Sequence, residues 1–222
     1  MNSTTPRPSD LDTISLQLSR PVRDVVEIPA RCVCGNPLVA ATAPRLSNGI
    51  PFPTTFYLTH PAATAAVSRL EAAGVMAEMS QRLTTDEQLA EAYRHAHENY
   101  LAERERIRSD AGLDPVWEIE GVSAGGMPER VKCLHVLAGH ALAVGPGINP
   151  LGDETLELIA SSWTPDTCIC ASSWDHEAPV PQRDLSRHVR RANQGFARQQ
   201  SAARADAPQQ DAPASQADAE TA

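Results

Sequence analysis

Four side chains of this 222-residue chain have donor chemistry and a placement suited to sharing one metal ion: Cys32, His60, Cys133 and His140. Thiolate sulfur and neutral imidazole both suit a borderline-soft cation such as Zn2+, which binds them at about 2.3 Å and about 2.0–2.1 Å in a tetrahedron. Cys32 stands in the run RCVCGNP, two residues before Cys34, and Cys133 and His140 stand in VKCLHVLAGHAL. On one helix, Cys133 and His140 are separated by about 700° of rotation, about 20° short of two turns, so they project from the same face. The rise between them is about 10.5 Å, a long reach for one ion, so His135 and Cys34 are held as reserve ligands. Cys168 and Cys170, in SSWTPDTCICASSWD, read as free thiols at the edge of the ordered region.

The same residues also allow thiol chemistry. If the helix carrying Cys133 starts close before it, the positive end of the helix dipole and the neighbouring Lys132 favour the thiolate, with His135 or His140 as base. If a metal is instead catalytic, Glu129 or His135 is the general base toward metal-bound water. Cys133, Glu129 and His135 are therefore the catalytic candidates. The glycine-rich runs SAGGMP and GPGINPLGD match no phosphate-loop or dinucleotide pattern, so they are assigned to turns and no nucleotide cofactor is expected.

These residues need elements to hold them. A first helix is expected from Ser9 as N-cap, carrying Leu11, Ile14 and Leu18 and ending at Pro21. Three apolar runs rich in β-formers, 23–28, 38–43 and 54–59, separated by turn residues, predict a three-stranded antiparallel meander. Pairing strands two and three about Gly49 sets position 38 against position 60, which brings His60 to the same end of the sheet as the Cys32–Cys34 turn. Helices follow over about 61–73, 75–83, 87–108 (capped by Thr85), 128–144 (opened by Pro128) and 153–160.

The expected organisation is a disordered N-terminus over 1–8, one α+β domain over 9–163, a linker with a basic helix over 164–202, and a disordered tail over 203–222. The tail is Ala, Gln, Asp and Pro without large apolar side chains, a composition that cannot offset the entropy of ordering. The whole chain carries 19 basic and 28 acidic residues. Most of the excess acid falls within the domain, which argues against general nucleic-acid binding. Arg183, Arg187, Arg190, Arg191 and Arg198 fall largely at helical spacing and could touch an acidic partner or a membrane surface, and the acidic surface of the domain is the other place where a protein partner could bind. No window approaches the roughly 18–20 apolar residues of a membrane span, and the start MNSTTPRPSD lacks a secretory pattern, so a cytoplasmic protein is expected.

RCVCGNP (31–37), PFPTTFYLTHP (51–61), SRLEAAG (68–74), GGMPERVKCLH (125–135), AGHALA (138–143) and NPLGD (149–153) together resemble the bacterial family of domain of unknown function 501, most of all its actinobacterial members. The resemblance implies no particular activity. It implies Cys at the positions of Cys32 and Cys133, His at those of His135 and His140, and in many members Cys in place of His60. A Cys-to-His exchange suits a zinc ligand position, whereas an iron–sulfur cluster favours thiolate. Some members have a further His where this chain has Leu137, which keeps His135 among the ligands. The expectation is thus an α+β protein with a Cys/His zinc site, structural or catalytic. Its rivals are a protein-interaction module with purely structural Cys and His residues, and a thiol enzyme using Cys133.

Overall fold

The computed structural model describes residues 4–170. The expected basic helix over 183–198 and the tail over 203–222 lie outside the described residues. Ordered structure starts earlier than the sequence suggests. Thr4 bridges to Ile28, and α1 (Pro8–Gln17) begins one residue before its expected cap, with Pro8 in its first turn. Asp10 anchors that helix start. Its carboxylate accepts from the Arg7 backbone N–H at 2.9 Å and from Arg31 at 2.7 Å.

Three antiparallel strands follow in the order β1 (Val25–Arg31), β2 (Pro37–Thr42), β3 (Phe56–Leu58). β2 is buried along its whole length because both faces of the sheet are covered. Side chains alternate across a strand, so Ala40 turns to Ile14 of α1 and to Ile28, while Val39 and Ala41 join Phe56 and Leu58 in the main core. Val39 pairs with Leu58 and Ala41 with Phe56, one residue away from the register inferred from the loop.

The main core is closed by α2 (Pro61–Ala72), α3 (Val75–Arg82), α4 (Glu87–Asp110), α5 (Leu134–Val144) and α6 (Pro150–Ile159), with a short 3-10 turn at Trp117–Ile119. On α4, Tyr93, Ala96, Tyr100 and Ile107 form the buried stripe that helical spacing predicts, and Asp86, not Thr85, caps its first turn by accepting from the Leu89 N–H at 3.0 Å. α5 is apolar almost throughout and buried on nearly every side, so it is the central helix of the layer. α6 starts three residues before its expected position, because Asn149 caps it through the Gly152 N–H at 2.9 Å. At Gly152 a Cβ would lie 2.4 Å from the Leu137 carbonyl, so only glycine lets α6 press this closely on α5.

The start of α5 is the main correction to the expected elements. Residues 128–133 are not helical, although Pro128 suits a first turn. Gly125 and Gly126 both take positive φ, 71° and 93°, and bend the chain so that the Lys132 N–H reaches the Gly125 carbonyl at 2.7 Å. At Gly126 a Cβ would stand 2.6 Å from the Arg130 carbonyl. That closed loop leaves Cys133 extended, with φ of −158°, as the N-cap of α5.

Candidate metal centre

The turn between β1 and β2 is closed by two backbone hydrogen bonds, from Cys32 N to Asn36 O and from Gly35 N to Cys32 O, both 2.8 Å. It sets Cys32 and Cys34 on the same small loop. After α6 the chain returns to this turn, and Cys168 and Cys170 complete a group whose four sulfurs all lie within 4.8 Å of one another. The Cys34 and Cys170 sulfurs are 3.4 Å apart, and none of the five cysteines is disulfide-bonded. Tetrahedral bonds of about 2.3 Å place sulfurs about 3.8 Å from each other, so the spacing matches one ion shared by four thiolates. This group could hold a metal ion.

Its electrostatics are uneven. Burial pushes the Cys32 and Cys170 thiols up. Burial also opposes ionisation of Cys34, but the Asn36 backbone and the neighbouring thiols outweigh it and bring that thiol below its usual range. Four adjacent thiolates repel one another, so full ionisation requires a cation among them. Arg31 buttresses the turn by donating to the Gly35 carbonyl at 3.0 Å while it pairs with Asp10.

A second group forms where the end of α2 meets the start of α5. Glu71 Oε1 accepts from the Leu134 N–H at 2.7 Å and lies 3.1 Å from His135 Nδ1, which in turn is 4.0 Å from Cys133 Sγ. The far nitrogen, His135 Nε2, is 3.1 Å from the Thr64 carbonyl and 3.2 Å from Ser68 Oγ. The Cys133 sulfur and the Glu71 carboxylate push the His135 pKa up to about 9, against the effect of burial. Cys133 and His135 line a cavity of about 860 Å³, together with Phe56, Leu58, Met127 and Lys132. Glu129 lines the same cavity and is exposed.

The four ligands expected from sequence are therefore not gathered about one point. Cys32 belongs to the thiol group and Cys133 to the Glu71 group. Of the reserves, Cys34 joins Cys32 and His135 joins Cys133. His60 is buried beside the thiol group, with its Nε2 3.7 Å from Cys170 Sγ and its ring 5.6 Å from that of Trp163. His140 is a correction. It is fully buried, with Nε2 2.9 Å from Asn99 Oδ1 and Nδ1 3.1 Å from the Asn149 side-chain amide. Both ring nitrogens are thus occupied, and burial pushes its pKa down to about 4. The shared helical face assumed for Cys133 and His140 does not exist, because Cys133 precedes the helix.

Sequence reasoning missed Cys168, Cys170 and Glu71. The repeated C-x-C pattern, Cys32-Val-Cys34 and Cys168-Ile-Cys170, is the signal that would have found the first two. Glu71 carries no local signal, since a carboxylate in the last turn of a helix is ordinarily solvated.

The family model for protein of unknown function (DUF501) matches residues 28–157, more than half of the chain. That span includes Glu71, Cys133, His135 and the Cys32–Cys34 turn, and ends before Cys168. No curated protein and no solved structure matches the chain.

Proposed function

The chain belongs to the DUF501 family, and on that premise we propose that it is a zinc-binding protein whose Cys32, Cys34, Cys168 and Cys170 hold one structural Zn2+. The observation that supports this reading is the convergence of four sulfurs, from two C-x-C pairs, within 4.8 Å of one another. Four protein ligands make a closed site, which is the structural rather than the catalytic arrangement. A sulfur-only tetrahedron suits zinc, or iron in a mononuclear or cluster form. Residues 164–170 form no helix or strand, so the ion would fasten this returning segment to the β1–β2 turn, beside the packing of Cys170 on the core. Five cysteines without a disulfide fit a reducing compartment, and we assign the protein to the cytoplasm. Among the described residues no helix is long and apolar enough to cross a membrane.

The test is elemental analysis of the purified full chain, prepared anaerobically, beside the Cys168→Ser/Cys170→Ser variant. Zinc present in the parent protein, with one equivalent lost in the variant, supports the reading. Iron in place of zinc, or metal content unchanged by the double substitution, overturns it.

A further inference from the structure

We infer that Glu71, Cys133 and His135 form a second metal site, separate from the four-cysteine group, with three protein ligands and a fourth position open to the cavity beside α5. The three donor atoms lie within 4.8 Å of one another, with separations of 3.1 Å from His135 Nδ1 to Glu71 Oε1 and 4.0 Å from Nδ1 to Cys133 Sγ. Ligand atoms around tetrahedral zinc lie roughly 3.3–3.8 Å apart, so small side-chain shifts bring all three into bonding position.

The hydrogen bonds around the histidine choose the metal over a thiol–imidazole pair. A carbonyl oxygen can only accept, so the Thr64 carbonyl holds a proton on His135 Nε2 and leaves Nδ1 as the nitrogen facing Cys133 and Glu71, where a cation would replace the proton that Nδ1 shares with Glu71. A backbone carbonyl on the far nitrogen is the usual support of a metal-bound histidine. In a nucleophilic pair, one nitrogen faces the thiol and the other faces the orienting acid. Here both Cys133 and Glu71 meet Nδ1, which is how two ligands flank a third around one ion. The carboxylate is itself held by the Leu134 N–H at 2.7 Å, so the donor set rests on backbone at two of its three members.

Three ligands leave a position for water or substrate. Cys133 and His135 both line the 860 Å³ cavity, whose walls are apolar at Phe56, Leu58 and Met127 and cationic at Lys132. The ligand class that fits is a small anion or an oxygen donor with an apolar body, its donor atom on the metal and its negative charge toward Lys132. This site does not depend on the thiol group holding zinc.

Cobalt(II) titration of the full apo-chain in the Cys168→Ser/Cys170→Ser background isolates this site, with sodium azide as probe for the open position. The expected result is one equivalent of bound cobalt with thiolate charge-transfer absorption, and visible bands that shift when azide is added. Glu71→Gln and Cys133→Ser should each weaken binding at least about tenfold, and Cys133→Ser should also remove the charge-transfer band. Glutamine retains an oxygen for the Leu134 N–H, so Glu71→Gln keeps the helix start while removing the charge. No cobalt bound in this background, binding unchanged by both substitutions, or a spectrum indifferent to azide would each overturn the proposal. Loss of metal from the parent chain's four-cysteine group leaves all three readouts intact, so the two proposals fail separately.

Discussion

The thiol group and the Glu71–Cys133–His135 group sit on differently built parts of the molecule. The first joins a tight turn to a segment that has no helix or strand of its own, and its Cys34–Cys170 sulfur contact spans 136 positions of sequence. The second is assembled from two helix ends, with its carboxylate on the Leu134 N–H and its imidazole on the Thr64 carbonyl. One site holds chain together; the other is held together by the chain. A metal at the first should therefore govern stability, whereas the second, with three protein ligands and an open position, should hold its ion less tightly and so add less to stability and more to ligand binding.

The largest expected effect separates them on that ground. An ion present at a thousandfold its dissociation constant stabilises the folded state by about 4 kcal/mol, and for a domain of this size that is roughly 10 °C in melting temperature. Chelation should lower the calorimetric midpoint of the parent protein by about that much. It should lower that of the Cys168→Ser/Cys170→Ser variant by much less, and an equal drop in both would erase the contrast.

His140 provides a comparison away from both sites. The unfolded chain takes up its proton near 6.5, whereas burial delays uptake in the folded chain to about 4. Between those values the unfolded chain binds more protons, so stability falls as pH drops through that window and levels off below it. The loss amounts to about 3 kcal/mol. Urea unfolding midpoints over that range should flatten in His140→Gln, which keeps a donor and an acceptor for Asn99 and Asn149 but does not titrate.

Asp10 sharpens the contrast through the turn. Burial opposes its ionisation, but hydrogen bonds from Arg31 and then Arg7 outweigh it and hold the carboxyl well below the usual range. Its contribution is present above about 3.9 and disappears as pH falls through the lowered folded value. Asp10→Asn should cost about 2 kcal/mol, and because Arg31 also holds the Gly35 carbonyl it should weaken metal binding at the thiol group and not at Glu71. Parallel zinc and cobalt titrations of the variant check this. The smallest effect belongs to Arg82→Ala, which removes the half-exposed pair with Glu154 between α3 and α6. It should change unfolding free energy by no more than about 0.5 kcal/mol and leave both metal titrations unchanged.

The sheet and most helices were legible because alternation, helical spacing and turn residues are local signals. β1 to β3 and α2 to α4 fall within a few residues of their expected positions, and the three-stranded antiparallel sheet is the one expected. The errors come from non-local or competing causes. Pro128 suits a helix start, but the Gly125–Gly126 turn closes on Lys132 and delays α5 to Leu134. That single displacement moved Cys133 off the helical face it was to share with His140. It also left Cys133 just outside the helix, as its N-cap, and not within the first turn from which the sequence allows thiol chemistry. Trp163 looked like the end of the domain, yet the chain continues to the β1–β2 turn with Cys168 and Cys170. Nothing local marks that return, and only the second C-x-C hinted at it.

The most direct measurement is zinc-edge X-ray absorption on the full chain carrying Cys133→Ser and Glu71→Gln, so that only the thiol group contributes. Four sulfur neighbours at about 2.3 Å is the expected first shell. A shell containing nitrogen, which would point to His60 in place of a thiolate, or a protein that binds no zinc, would contradict it.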